Sequence, residues 1–200
     1  MSDRQTAAVP ATLAPFVAAA RALWTQPLTD AERWQKIGEL MPMLTGSKAL
    51  QESAKAWPAP GPEAKRPQNL MFYEDPDYGF VINGLIKPPR AGTPVHDHAH
   101  TWTVYAVLEG EEHVVRYRRD DASSGKDTAE LVKTDDYVVG NGYVDVVPPG
   151  VIHAEYAGDQ RTVAVIVRSE RVGGFMQGMF DPATGKVSQA PGPEQVPYRL

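Results

Sequence analysis

The sequence predicts a mainly β protein, a strand-built barrel preceded by a helical segment, and three observations point there. Its 200 residues include 17 glycines and 18 prolines, many for a helical protein and well suited to a turn-rich one. From about residue 68 the chain breaks into short stretches rich in Val, Ile and Tyr, separated by turn residues. Before that point the apolar residues recur at helical spacing. A chain of this length closes one sizeable core. The expected division is therefore residues 1–67 as a helical segment with a Pro-rich connection packing on the barrel, and 68–200 as the barrel with an irregular C-terminal tail.

Each element follows from local signals. Leu13, Phe16, Val17, Ala20 and Leu23 share one helical face, which predicts a helix from Thr12 to Trp24. Thr29 and Glu32 have capping-box spacing and open a second helix. Its apolar positions Ile37, Leu40, Met41 and Leu44 keep the period, and Pro42 kinks or ends it. Ser47 caps a third short helix through Trp57, after which Pro58, Pro60, Gly61, Pro62 and Pro67 forbid regular structure. Strands are expected at Leu70 to Glu74, Phe80 to Lys87, Thr101 to Leu108, Glu112 to Arg118, Tyr143 to Val147, Val151 to Tyr156 and Thr162 to Arg168. Asp120 to Lys126 reads as a charged Ser/Gly loop. From Gly173 onward Asp181, Pro182, Gly185, Pro191, Pro193 and Pro197 predict a tail wandering over the surface, with at most one hairpin.

Composition narrows the function classes. The 25 acidic and 20 basic residues give a net charge of -5, and no long basic block could track a phosphate backbone, so nucleic acid is not the expected partner. No run reaches the roughly 18 apolar residues that a membrane span needs. Arg21 interrupts the stretch from Leu13 to Leu23, which lacks a basic flank and cleavage signal, so no signal peptide is expected. The absence of cysteine rules out disulfides and thiolate metal sites and suits a reducing cytoplasm, the expected location.

Chemistry therefore rests on the five histidines His96, His98, His100, His113 and His153. In Thr93-Pro94-Val95-His96-Asp97-His98 the two histidines alternate, and a strand sends such residues to one face. Pro148-Pro149-Gly150-Val151-Ile152-His153 supplies a third imidazole after a sharp turn, and barrel closure would bring it near. Three neutral imidazoles bind Fe(II), Mn(II), Ni(II), Cu(II) or Zn(II) and leave positions for substrate, water or oxygen. His100 continues the alternation and is a candidate fourth ligand or acid-base group, or more simply a rim residue, Trp102 a cavity-lining candidate, and Thr103 a packing or hydrogen-bonding one. Arg168 is the candidate anchor for a carboxylate, which a guanidinium holds at two points, but a solvated strand-end arginine is the favoured reading, because arginine is seldom buried without a partner. No catalytic residue is assigned.

At these residues the chain resembles the cupin superfamily. Gly92, His96, His98 and Gly110 match its first motif, though the spacing from Gly92 to His96 is short and Thr103 stands where the family usually has Glu. Gly142, Pro148, Gly150 and His153 match the second motif at full spacing, with Ala157 in place of its usual Asn. The resemblance implies a double-stranded β-helix, or jelly roll, with His96, His98 and His153 as metal ligands and a homodimer formed through strand edges. Within the superfamily, Thr93-Pro94-Val95-His96-Asp97-His98, Trp102, Val107-Leu108-Glu109-Gly110 and Tyr73-Glu74-Asp75-Pro76 look like cysteine dioxygenases and related thiol dioxygenases. That resemblance implies Fe(II) and a small thiol or other chelating acid oxidised with O2. Two departures accompany it. The family's late Ser-x-His-x-Tyr group is missing, its places falling at Ile166, Arg168 and Glu170, and no carboxylate-binding Arg precedes the metal motif, where Gln68-Asn69-Leu70 stands. The alternatives are a cupin isomerase or lyase using Zn(II), Mn(II) or Ni(II) as a Lewis acid, and a non-catalytic metal- or ligand-binding cupin.

Overall fold

The computed structural model describes residues 9–58, 67–120, 122, 125 and 127–200. The proline-rich connection falls mostly on residues 59–66, outside the described residues, as do four positions of the expected loop between Asp120 and Lys126. Four helices come first: α1 (Ala14–Trp24), α2 (Asp30–Leu40), α3 (Pro42–Thr45) and α4 (Lys48–Lys55). Thr29 caps α2 in a full capping box, its hydroxyl accepting from the Glu32 N–H while the Glu32 carboxylate accepts from the Thr29 N–H. Pro42 ends α2 and sits in the first turn of α3, where its missing N–H costs nothing. The Ser47 hydroxyl caps α4 by accepting from the Leu50 N–H.

Twelve strands follow: β1 (Gln68–Glu74), β2 (Val81–Lys87), β3 (Val95–His96), β4 (Thr103–Glu109), β5 (Glu112–Asp120), β6 (Glu130–Val139), β7 (Val144–Val147), β8 (Ile152–Ala157), β9 (Thr162–Arg168), β10 (Met176–Phe180), β11 (Val187–Pro191) and β12 (Gln195–Pro197). They form two six-stranded sheets, β12-β1-β2-β9-β4-β7 and β11-β10-β3-β8-β5-β6. Within these, the antiparallel quartets β2-β9-β4-β7 and β3-β8-β5-β6 are a jelly roll, with the chain crossing between sheets at nearly every connection. The fold is the double-stranded β-helix that the resemblance implies, with helices added at one side.

Alternation along β4 and β9 explains where the two cores lie. Val104, Ala106, Leu108, Val163, Val165 and Val167 face outward and pack against the helices. Tyr105, Val107, Ala164 and Ile166 face inward and fill the barrel with Leu85 and Val114. Helix α2 approaches closely because Gly38 lies against Val146, whose methyl would be 2.6 Å from an added Cβ. Trp24 of α1 stacks on Tyr78 and Phe80, each with ring centroids 5.1 Å away. Arg21 of α1 donates to both oxygens of Asp75, at 3.0 and 2.8 Å. The same buried carboxylate accepts from the Tyr73 hydroxyl and from the Asp77 and Tyr78 N–H groups. Tyr73-Glu74-Asp75-Pro76 is thus a clip between helix and barrel.

Two parts of the chain are more regular than their sequence suggests. The C-terminal region contains β10, β11 and β12: β10 and β11 form a hairpin, β10 pairs with β3, and β12 pairs parallel with β1. Turn residues predict where a chain reverses but not whether the flanking segments find a sheet edge, and here both sheets offer one. β6 is the other surprise. It is largely exposed on both faces, so its apolar alternation is absent, and pairing with β5 alone holds it.

Candidate metal centre

The inward face of the second sheet brings the histidines together. His96 on β3 is the direct cross-strand partner of His153 on β8. His98 lies just past β3, in a segment that the Asp97 carboxylate folds back by accepting from the N–H groups of Ala99 and Gly178. Ala99 has a φ of 51°, a left-handed conformation that costs a non-glycine residue about 1–2 kcal/mol. Gly150, at a φ of 76°, closes the Pro148-Pro149-Gly150 turn and donates its N–H to the Ala99 carbonyl at 3.1 Å. The turns carrying the two histidine motifs are therefore bonded to each other.

The three ring centroids lie 4.7–5.0 Å apart, and one nitrogen from each ring falls within 4.8 Å of the other two. Backbone carbonyls select which nitrogen faces inward. His96 Nδ1 lies 2.9 Å from the Pro94 carbonyl and His153 Nδ1 lies 3.2 Å from that of Val151. A carbonyl can only accept, so both rings carry a proton on Nδ1; His96 is left with the lone pair of Nε2, whereas His153 Nε2 faces the Glu155 carboxylate at 3.1 Å, whose charge outweighs burial and raises His153 above the ordinary histidine range. The Nε2 atoms of His96 and His98 are 3.2 Å apart. Burial, followed by the charge of His153, pushes His96 down to about 4, and burial drives His98 well below the usual histidine range. His96 and His98 are thus held neutral, and with His153 deprotonated the three converging rings are a donor set that fits a first-row divalent metal.

Around this centre sit groups that sequence reasoning placed unevenly. Arg168 is buried inside the barrel, not solvated, and its Nη1 donates to Thr103 Oγ1 at 3.1 Å while Nε has no hydrogen-bond partner. Burial lowers its guanidinium to about 10, opposed chiefly by the Glu155 carboxylate, so it stays cationic at neutral pH. Thr103 is buried and spoken for by that arginine. His100 does not continue the alternation, because the chain turns at Ala99; it lies at the surface, 3.1 Å from Glu170. Trp102 faces the helices with the outer core, on the opposite side of its strand from the barrel interior. These two line an external hollow with Trp24, Arg33 and Tyr78. Ile166 packs in the barrel core, and Asn69 is buried, accepting from Asn83.

Two buried acids and a lysine escaped the sequence reading. Glu155 lies two residues from His153 on the same strand face, and its Oε1 is 3.1 Å from His153 Nε2. Burial opposes its ionisation, but His153 outweighs this and holds the carboxyl well below its usual range. Further along the interior Lys87 donates to Glu112 at 2.7 Å and to the Tyr105 hydroxyl at 2.8 Å, while Tyr105 and Thr162 donate to the Glu112 carboxylate. The period-two pattern of the strand at Val151 to Tyr156 carried the signal for Glu155. Nothing in a lone Lys ending an apolar strand distinguishes a buried position from a solvated one.

No protein-family model matches this sequence, and no curated protein does. Solved structures do match. The cupin domain of Schizosaccharomyces pombe Cnp3 is 14% identical over 52% of this chain and 65% of that one, with a TM-score of 0.40. Oxalate oxidase in complex with the substrate analogue glycolate is 18% identical over 58% of this chain and 57% of that one, at 0.44. An uncharacterized conserved protein with a double-stranded β-helix domain from Klebsiella pneumoniae subsp. pneumoniae MGH 78578 is 16% identical over 70% and 93%, at 0.41. The chain thus spans under two thirds of the first two. The first of these is named as a cupin domain and the last as a double-stranded β-helix domain. Among the described residues no helix is long and apolar enough to cross a membrane.

Proposed function

We propose that the protein is a non-haem Fe(II) dioxygenase of the cysteine dioxygenase-like type, which oxidises a small thiol or other small chelating acid with O2. The observation that carries this reading is the convergence of the His96, His98 and His153 imidazoles at one buried point, with the cationic Arg168 inside the same barrel. Bound Fe(II) would supply an electron-rich centre for O2 activation beside the substrate. The protein does the rest. His96, His98 and His153 would hold the ion, two of them oriented by the Pro94 and Val151 carbonyls. Arg168, steadied by Thr103, offers its free Nε edge to a substrate carboxylate and so fixes which end of the substrate points at the metal. Leu85, Val107, Ala164 and Ile166 keep the interior apolar and exclude water. For a thiol the balance closes without a further reductant: RSH and O2 give the sulfinic acid RSO2H.

The test is metal analysis of protein purified without added metal, combined with oxygen uptake on cysteine, 3-mercaptopropionate and acetylacetone. Iron with uptake on one of them is the expected result. A second reading, Lewis-acid isomerase or lyase chemistry, draws on Ile166 and Glu170 standing where thiol dioxygenases keep polar groups, Ile166 in the core and Glu170 beside His100. Zinc, manganese or nickel with no oxygen uptake would select it over the dioxygenase.

A further inference from the structure

We propose that Arg116 is a second recognition residue for the substrate, which places the preferred substrate among small thiols or other chelating acids with two anionic groups, one for Arg168 and one for Arg116. This substrate class rests on the dioxygenase reading above and narrows it.

The strand register carries the assignment. Arg116 on β5 is the direct cross-strand partner of His153 on β8, and directly opposed residues of an antiparallel pair share a face, with Cβ atoms about 4.5–5.5 Å apart. Arg116 therefore belongs to the inward face, beside the histidines. Its Nη2 donates to Oδ2 of Asp145, a β7 residue that stands opposite the inward Tyr105 of β4. The pair reaches from one sheet to the other across the seam between β6 and β7, each the last strand of its sheet. Tyr137 of β6 and Tyr143 span the same seam, their hydroxyl oxygens 2.9 Å apart, so the sheets are joined there without Arg116 as well.

Two features of Arg116 fit binding better than bracing. Only one nitrogen of its guanidinium is engaged: among the described residues Nε and Nη1 donate to no acceptor, much as Arg168 uses only Nη1, on Thr103. The unused edge holds two parallel donors, the fork that matches a carboxylate. Arg116 also borders a hollow. β5 runs on to Asp120 past Tyr117, its last residue to pair with β8, and beside this overhang lies a hollow of about 500 Å³ lined by Arg116, Arg118, Thr134, Gly150 and Val151 among others. Gly150 and Val151 belong to the turn that carries His153. With its side chain 30% exposed, Arg116 stands between solvent and the metal centre.

Arg168 projects inward from β9 of the first sheet and Arg116 from β5 of the second, so the centre has a guanidinium on each side. Charge points the same way. Asp145 offsets Arg116 and Glu155 offsets Arg168, so a bound divalent ion leaves about two positive charges for the substrate to balance.

The probes are 3-mercaptopropionate and mercaptosuccinate, the second being the first with one more carboxylate, titrated calorimetrically into the whole iron-loaded protein under nitrogen, where no turnover occurs. Wild type is expected to bind mercaptosuccinate at least about 10-fold more tightly, the size of one charge-assisted hydrogen bond. In Arg116→Gln the two dissociation constants are expected to lie within about twofold of each other. Arg116→Lys, which keeps the charge and loses the fork, is expected to retain part of the preference, and Asp145→Asn, which releases the guanidinium, to widen it. Equal binding of the two thiols by wild type, or an undiminished preference in Arg116→Gln, would overturn the proposal and leave the metal centre and its thiol substrate standing. A wild type that binds neither thiol overturns the proposal together with the thiol reading. Should Arg116→Gln fail to fold, Arg116→Lys and Asp145→Asn decide: a preference unchanged in both refutes the role of Arg116.

Discussion

Two levels of the barrel interior hold charged groups, and they handle them differently. At one, Lys87 and Glu112 have fully buried side chains 2.7 Å apart, and Tyr105 and Thr162 add hydroxyls to the same carboxylate. At the other, Arg168 has one buried nitrogen without a partner, His98 Nδ1 has none, and the Nε2 atoms of His96 and His98 are 3.2 Å apart. The strand register separates the two levels: Thr162 and Arg168 are the opposite ends of β9. A closed network makes the first level a fixture of the fold. An open one, equally buried, makes the second a place where a ligand completes the set.

Each prediction bears on that contrast, the largest first. His96→Ala and His153→Ala are expected to abolish metal retention while the circular dichroism spectrum stays that of wild type; undiminished iron in either variant would contradict the assignment. Lys87→Met should lower unfolding stability by about 3–5 kcal/mol, because it strands Glu112 in the interior, without altering metal stoichiometry. A loss of metal without a loss of stability would invert the roles given to the two levels. Arg168→Met should do the opposite. Urea unfolding of the metal-loaded protein is expected to stay within about 1 kcal/mol of wild type, while kcat/KM for a carboxylate substrate falls about 100-fold. A variant as active as wild type on such a substrate would remove the anchor.

A control lies outside the barrel. The backbone N–H groups of Tyr78 and Asp77, the Tyr73 hydroxyl and Arg21 together overcome burial and hold the Asp75 carboxyl below its ordinary range. A depressed carboxyl contributes stability above its unfolded value, and that contribution is lost as pH falls through the folded one. Asp75→Asn is expected to cost about 2–3 kcal/mol at pH 7 and progressively less below about pH 4. A difference constant from pH 7 to pH 3, followed by urea midpoints, would show that the clip does not depend on charge.

How far the sequence carried this picture depends on what kind of force fixed each part. Helix starts at Thr29 and Ser47 and the strand at Thr162 to Arg168 depend on neighbours in sequence, and they were legible. So was the convergence of His96, His98 and His153, because their turn residues accompany them. His100 and Trp102 were misplaced because one left-handed residue, Ala99, breaks an alternation that the sequence alone extends. Lys87, Glu112 and Glu155 were invisible as a set, since their burial is mutual and exists only once four strands meet.

The histidine-bearing strand β3 is two residues long and is flanked by β8 on one side and β10 on the other, so its second neighbour comes from residues 179 and 180. Such a short strand has little cohesion of its own. The imidazole of His96 therefore owes its place to a pairing that spans more than eighty residues of chain.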